Sequence, residues 1–390
     1  MTAPPPPRRR GWCPSLHDPM PSGDGLLVRV KPPGARLPAP AARALADAAA
    51  RWGNGTIELT RRGNLQVRGL RPDGVAPFAA AVAAAGLADP DPARERRRVA
   101  IAPPLAGDDP AADASNLAER IDAALADGPL PPSKFGITVD AGGVLGGCMP
   151  PADISVRVHN GEHWLSLNGG PEQPVTDPVS ACSLSLRERA GVRGWASASP
   201  TLQNPQPDST SAPHIPSQDS LTPTLSRRER EPAPSVIGFH PYAGTSFGAL
   251  ALGLPMGQLD APTLHALADL ADRFSAGTLR TTPWRAILLG RLPAADLPAA
   301  RRAAEAAGLA HDPADPRLAV TSCIGAPGCA SATVPARQDA IRLARERRGP
   351  LHVSGCAKGC AYPGAGPALV AAAGQYTLVP DWRPTLDPAP

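Results

Sequence analysis

At 390 residues with 42% hydrophobic content, the chain is long enough for two or three domains around buried cores. Aromatic residues make up only 4%, so the packing has to rest on Ala and Leu in helix-rich layers. A net charge of +4 is too small to argue for a nucleic-acid partner, and residues 1–10, a proline run followed by arginines with no apolar stretch behind them, read as a disordered tail and not as a secretion signal or a membrane span.

Gly23-Asp24-Gly25 is turn chemistry, and it leads into a strand over Leu26 to Val30. Leu45, Ala48, Ala49 and Trp52 recur at helical spacing, which predicts a helix over 40–52 that Gly53-Asn54-Gly55 ends. Thr56 to Thr60 and Asn64 to Gly69 read as two strands joined across Arg61-Arg62-Gly63.

The chain then repeats itself. Leu45-Ala46-Asp47 with Arg51-Trp52 returns as Leu267-Ala268-Asp269 with Arg273-Phe274, Gly55-Thr56 as Gly277-Thr278, and Ala85-Gly86-Leu87 as Ala307-Gly308-Leu309. A nearly constant offset is the mark of duplication. The unit runs strand, helix, strand, strand, helix, which is ferredoxin-like. The expected fold is therefore α+β, with duplicated ferredoxin-like half-domains, two mixed α/β domains and pseudo-two-fold symmetry. The boundaries read as a tail over 1–10, a first half over 11–72, a first α/β domain over 73–174, a second half over 236–297 and a second α/β domain over 298–390. Between them, residues 175–235 are rich in Ser, Pro, Thr and Gln and read as a disordered, dispensable insertion in which Cys182 is an incidental free thiol.

Chemistry concentrates near the end, in Cys323-Ile-Gly-Ala-Pro-Gly-Cys329 and Cys356-Ala-Lys-Gly-Cys360. Loops of Gly, Pro, Ala and Ser let the backbone approach a bulky inorganic guest and leave amides free to donate to sulfur, so four thiolates on a [4Fe-4S] cluster is the first reading. Structural zinc usually spaces each pair more tightly than C-x5-C, disulfides sit poorly with an odd total of seven cysteines, and inert buried thiols are the blandest alternative. Four basic residues stand out besides: Arg61 and Arg62 at a strand end, Arg98 before Pro104-Leu105-Ala106-Gly107, and Lys134 in Leu130-Pro131-Pro132-Ser133-Lys134-Phe135. Each alone is an ordinary surface charge, but at matching places of a duplicated fold they suit a ligand with several carboxylates.

Together, the cysteine pairs, the duplicated half, the strand from Arg62 to Gln66, the Pro-Leu-Ala-Gly turn and the Leu130 to Phe135 segment resemble the sulfite and nitrite reductase haemoprotein family. The resemblance implies that Cys323, Cys329, Cys356 and Cys360 hold the [4Fe-4S] cluster, and that Arg62, Arg98 and Lys134 surround a tetrapyrrole. Arg10-Gly11-Trp12-Cys13-Pro14, Pro19-Met20 and Gly23 to Arg29 are similar to the opening of a branch of that family that works on precorrin-3A. That similarity implies a cytoplasmic monooxygenase of aerobic cobalamin biosynthesis, in which dioxygen hydroxylates precorrin-3A and a ring acetate closes a γ-lactone. The branch is also thought to use a mononuclear non-haem iron, for which His17, His159, His163, His240 and His352 are candidates. No Gly-x-Gly-x-x-Gly loop follows a strand, so an NADH-linked reductase or a ferredoxin is the implied electron donor. The alternative is a sirohaem-dependent sulfite or nitrite reductase. Against it, the sulfite reductases carry a second Lys where this chain has Gly136.

Overall fold

The computed structural model describes residues 13–112, 114, 116–132, 134–189, 236–346, 349–359, 361–362 and 366–382. The expected tail, most of the expected insertion and Cys360 lie outside the described residues. The first half carries β1 (Met20–Ser22), β2 (Gly25–Val30), β3 (Arg36–Pro38), α1 (Ala39–Trp52), β4 (Thr56–Leu59), β5 (Leu65–Leu70) and α2 (Val75–Ala84). The first α/β domain follows with α3 (Pro92–Arg97), β6 (Ala100–Ile101), α4 (Leu117–Leu125), β7 (Ile137–Asp140), β8 (Ile154–His159), β9 (Glu162–Leu167), β10 (Gln173–Val175) and α5 (Pro178–Arg189).

The second copy has the same order. Its half contains β11 (Gly238–Pro241), β12 (Phe247–Gly253), β13 (Gln258–Asp260), α6 (Ala261–Phe274), β14 (Thr278–Thr281), β15 (Ala286–Pro293) and α7 (Leu297–Ala306). Its α/β domain contains α8 (Pro316–Ala319), β16 (Val320–Ser322), α9 (Ala336–Glu346), β17 (Leu351–Ser354), β18 (Ala368–Ala372) and β19 (Gln375–Val379). In both α/β domains three parallel strands are followed by an antiparallel one, β6-β7-β8-β9 in the first and β16-β17-β18-β19 in the second.

The halves exchange a strand. The first sheet runs β1-β2-β5-β4-β13 and the second β11-β12-β15-β14-β3, so each takes its last strand from the other half. The register is reciprocal: Leu259 of β13 faces Ile57 of β4, and Leu37 of β3 faces Leu279 of β14. Helices α1 and α6 close the shared core between the sheets, and small residues let them approach, with Ala42, Ala46, Ala49, Ala268 and Ala271 fully buried. Larger anchors, among them Leu45, Phe78 and Leu267, fill the remaining space, each leucine contributing about 1.5–3 kcal/mol by leaving water. On the rim Arg43 bonds Asp269 at 2.6 Å while its repeat mate His265 bonds Asp47 at 2.9 Å, a pseudo-two-fold pair.

Two expected boundaries move. Phe78 and Val82 of α2, and Ala300 and Ala304 of α7, pack into this shared core, so both helices belong to the ferredoxin-like halves and not to the domains that follow. The expected disorder from residue 175 onward is also corrected over its first part. Helix α5 lies against the first α/β domain and buries Cys182 and Leu186 completely beside Ile121 and Leu165 of its core. An apolar spacing of four residues, Cys182 to Leu186, was enough to cover a sheet face that polar neighbours made look solvated.

Candidate functional site

The parallel pairing of β16 with β17 sets Ser322 beside Val353, and so brings the C-terminal ends of both strands together. Cys323 leaves one end and Gly355-Cys356 the other. The Gly355 amide donates to Cys323 Sγ at 3.1 Å, and Cys329 is fixed by its own amide, which donates to the Gly325 carbonyl at 2.8 Å. Gly325 has a φ of 70°, and a Cβ there would lie 2.4 Å from the Ala336 nitrogen, so only glycine fits. Cys323, Cys329 and Cys356 are free and half-buried. Burial pushes the Cys323 thiol up, the Gly355 and Gly325 amides oppose it, and nearby Cys356 and Cys329 push it further, as thiols sharing one site would.

Cys360 lies outside the described residues. Among those described, no three His, Cys, Asp or Glu side chains converge closely enough to hold a metal ion. The donor set nonetheless suits an iron-sulfur cluster: free thiols on adjoining loops, small neighbours, and an amide already donating to sulfur. The histidines do not gather. His17 donates to the Asp89 carbonyl at 3.0 Å, His240 to that of Val236 at 2.8 Å, and His159 and His163 lie on the β8–β9 hairpin. His352, on β17, is buried, bonded through Nδ1 to the Thr321 hydroxyl at 2.9 Å, with Nε2 unpartnered among the described residues. Burial first, then Arg285 and Arg61, holds it down to about 4.

A buried polar network joins the cysteine loop to the first sheet. The Gly328 carbonyl accepts from the Gly23 amide at 3.1 Å, the Ser22 hydroxyl at 2.7 Å and Arg68 Nη2 at 2.9 Å. A Cβ on Gly23 would sit 2.1 Å from the Pro327 carbonyl oxygen, which explains the glycine of this turn. Arg68 forks onto Asp24 at 3.0 and 3.1 Å and reaches Glu58 at 3.3 Å. Glu58 also accepts from Gln66 at 2.8 Å and from Arg337 of α9. Burial alone would raise the Glu58 carboxyl, but Arg337 and Arg68 hold it below the usual range. From Gln66 the chain of contacts continues to Arg29 at 3.3 Å.

Arg29 lines a cavity of about 270 Å³, and so do Arg62, Arg98 and Lys134. The three basic residues picked from the sequence therefore do meet, at the junction of the first half with its α/β domain. Arg62 Nη1 donates to the Phe135 carbonyl at 2.8 Å and Nη2 to that of Lys134, whose backbone holds a left-handed φ of 68°. Burial, partly opposed by Cys13 and reinforced by Arg29, holds Arg62 below its ordinary range. Arg98 is tied down more firmly, bonding the fully buried Glu95 at 2.8 Å and the Lys31 carbonyl. Lys31, Arg62, Asn64 and Arg98 also line an adjoining cavity of about 400 Å³ that includes Asp122. Burial raises Asp122 to about 6, against two amide donors, Val99 and Ala100, at 2.9 Å.

The sequence reading missed Arg29, Lys31, Glu58, Arg68 and Arg285. The signal for the strand residues was present: Glu58, Gln66 and Arg68 alternate with the core residues Ile57, Leu59, Leu65 and Val67, so the opposite sheet face had to be polar. Cys13 lines the smaller cavity, whereas Cys323, Cys329 and Cys356 line neither. Their link to the basic residues runs through the network from Gly328 to Arg29.

Comparison with known proteins agrees with this architecture. The family described as nitrite/sulfite reductase ferredoxin-like half domain matches residues 18–85 and 242–307, one match in each half. The chain is 34% identical to precorrin-3B synthase of Sinorhizobium sp over 95% of its own length and 83% of that protein. It is 24% identical to a ferredoxin–nitrite reductase of Synechococcus elongatus, over 87% of this chain and 74% of that protein. Among solved structures, NirA of Mycobacterium tuberculosis superposes with a TM-score of 0.62 at 17% identity, covering 90% of this chain and 73% of NirA.

Proposed function

Because the chain belongs to the family that unites precorrin-3B synthase with the nitrite and sulfite reductases, we propose that it is the tetrapyrrole oxygenase of that family, acting on precorrin-3A in aerobic cobalamin biosynthesis. The observation that carries this reading is the meeting of Arg62, Arg98 and Lys134 in one basic cavity, in a chain alike over most of its length to precorrin-3B synthase. A precorrin bears carboxylates around its rim, and guanidinium forks and an ammonium are the groups that bind them with direction. Arg29 and Lys31 add charge to the same walls.

In this reading Arg62, at the hairpin tip, Arg98 and Lys134 together hold acetate or propionate groups along one edge of the macrocycle. Cys323, Cys329, Cys356 and Cys360 would hold a [4Fe-4S] cluster, which supplies single-electron transfer when bound. Arg68, Ser22 and Gly23 position that loop through the Gly328 carbonyl. Dioxygen, two electrons and two protons put one oxygen atom on the substrate and release the other as water. An NADH-linked reductase or a ferredoxin is the donor, and the reducing cytoplasm keeps the thiols available. Among the described residues no helix is long and apolar enough to cross a membrane.

Sirohaem-dependent reduction of sulfite or nitrite is the second reading, favoured by the likeness to a nitrite reductase. Gly136 speaks against it. It lies beside Arg62 where the sulfite reductases carry a second Lys, so one positive charge that would hold sulfite is missing. The deciding experiment incubates anaerobically prepared protein with precorrin-3A, dioxygen and a reduced ferredoxin, and looks for a lactone product heavier by one oxygen atom. Sirohaem absorption bands and sulfite or nitrite turnover, with no oxygenated tetrapyrrole, would overturn the proposal.

A further inference from the structure

The two hairpins that join β4 to β5 and β14 to β15 touch at the pseudo-two-fold axis. A Cβ on Gly63 would lie 3.5 Å from the Thr282 carbonyl carbon and 3.8 Å from the Pro283 nitrogen. Both turns need a left-handed residue at the same place, and the first supplies Gly63 with a φ of 69°. The second supplies Arg285 with a φ of 58°. A residue with a Cβ is disfavoured there, and the duplicated turn shows that glycine serves, so the arginine side chain is present in spite of its backbone.

That side chain has no evident structural use. It is half-buried, its aliphatic part lies along Gly257, where a Cβ would come within 2.8 Å of Arg285 Cδ, and its guanidinium makes no hydrogen bond or ion pair among the described residues. Its surroundings repel it. Burial, then Arg61 and Arg337, lowers it to about 10, with Glu58 only partly compensating. Arg337 is already committed to Glu58 and Gln258, whereas Arg61 is exposed and has no hydrogen bond or ion pair among the described residues. Two guanidiniums on touching turns, one of them in a strained conformation, thus bond no anion among the described residues.

The pair also faces a definite direction. Arg62 turns toward the first α/β domain, where it meets the Lys134 and Phe135 carbonyls. Arg61 and Arg285 instead act on His352 of β17, and Gly257 beside Arg285 adjoins Met256, whose sulfur accepts the hydroxyl of Ser322 next to Cys323 at 3.7 Å. They lie on the side of the cysteine loops.

We propose that Arg61 and Arg285, one from each half, form a carboxylate-binding pair at the meeting of the two hairpins, and that it takes a rim carboxylate of the tetrapyrrole on the side opposite Lys134. The choice of carboxylate ligand rests on the tetrapyrrole reading above. The macrocycle then bridges the duplicated halves, with Arg62 and Arg98 anchoring one edge and Arg61 and Arg285 the other.

Fluorescence titration with uroporphyrin III, which has eight carboxylates on its rim, tests this on the full chain. Arg285→Gly keeps the turn in the conformation that Gly63 already adopts, so thermal stability should hold or rise while affinity falls about ten- to a hundredfold, the range for a charge-assisted contact. Arg61→Gln, at an exposed residue without a hydrogen bond or ion pair among the described residues, should fall by about tenfold, and both should flatten the dependence of affinity on salt. If the wild type binds and both variants bind as tightly, the pair is overturned and the tetrapyrrole reading stands. If Arg285→Gly loses stability, Arg61→Gln alone decides. A wild type that does not bind the porphyrin overturns the tetrapyrrole reading, and with it the ligand assigned here.

Discussion

Arg68 of the first half holds the carbonyl oxygen of Gly328 at 2.9 Å, one residue before Cys329. Through this contact the sheet of one duplicated half positions the cysteine loop carried by the other copy. Arg68 is buried, and the same guanidinium serves Asp24 and Glu58, so its removal leaves carboxylates without their partner. Arg68→Met should cost about 3–5 kcal/mol in chemical denaturation and lower the iron content of reconstituted protein. Arg68→Lys should recover only part of this, because a point charge cannot fork. An unchanged denaturation midpoint in Arg68→Met would show that the network contributes no stability.

The cysteines divide into two kinds. Cys323→Ser, Cys329→Ser, Cys356→Ser and Cys360→Ser should each abolish iron and acid-labile sulfide. Cys182→Ser should leave both intact but lose about 1–3 kcal/mol, since it places a hydroxyl in the fully buried core behind α5. Burial lifts the Cys182 thiol to about 12, so alkylating reagents at neutral pH should spare it in the native protein. Labelling before and after denaturation, read by mass spectrometry, checks this, and rapid native labelling would count against the burial.

Arg62 and Arg98 should respond differently to loss of charge. Among the described residues the Arg62 guanidinium bonds only carbonyls, so Arg62→Gln should weaken tetrapyrrole binding about ten- to a hundredfold with little change in stability. Arg98→Gln also strips the fully buried Glu95 of its arginine and leaves it the Asp89 amide, and should lower stability and affinity together. Parallel binding titrations and melts distinguish the two; equal losses of stability would refute the distinction.

Asp122 makes stability depend on pH in an unusual direction. Its folded value of about 6 lies above the ordinary 3.8, so the native state holds its proton more tightly than the unfolded chain. The contribution is complete below about pH 4 and is lost as pH rises through about 6. Asp122→Asn keeps an oxygen to accept from the Val99 and Ala100 amides and cannot ionise. Its stability profile should be flatter than that of the wild type across that window, measured by urea denaturation at a series of pH values. Parallel profiles would show that Asp122 titrates normally.

Removal of residues 178–233 should destabilise the protein, contrary to what its composition suggests. The deletion takes away α5, and with it the buried Leu186, whose loss alone is worth about 2–5 kcal/mol. A deletion starting after residue 189 spares this packing. If both versions melt at the same temperature, α5 adds nothing to the domain it covers.

What the sequence determined by itself is local or repeated. Turn residues and helical spacing placed the helix over 40–52, found at Ala39–Trp52, and the strand over 26–30, found at Gly25–Val30, because a few neighbouring residues decide each. Duplication was legible because both copies solve the same packing problem with similar residues, and the paired cysteines were legible because the spacing of residues within a loop is written in the chain. The tertiary structure decided everything that depends on which distant groups come together. The exchange of β3 and β13 leaves no mark in short strands such as Arg36–Pro38 and Gln258–Asp260, whose pairing is settled by the register of the other half. The burial of α5 depends on an uncovered sheet face, and the carbonyls of Phe135, Gly328 and Lys31 that Arg62, Arg68 and Arg98 reach belong to remote segments. Arg285 is the clearest case. In sequence it is one arginine among many; only the left-handed turn it shares with Gly63, and the like charges around it, single out its guanidinium, which bonds no carboxylate among the described residues.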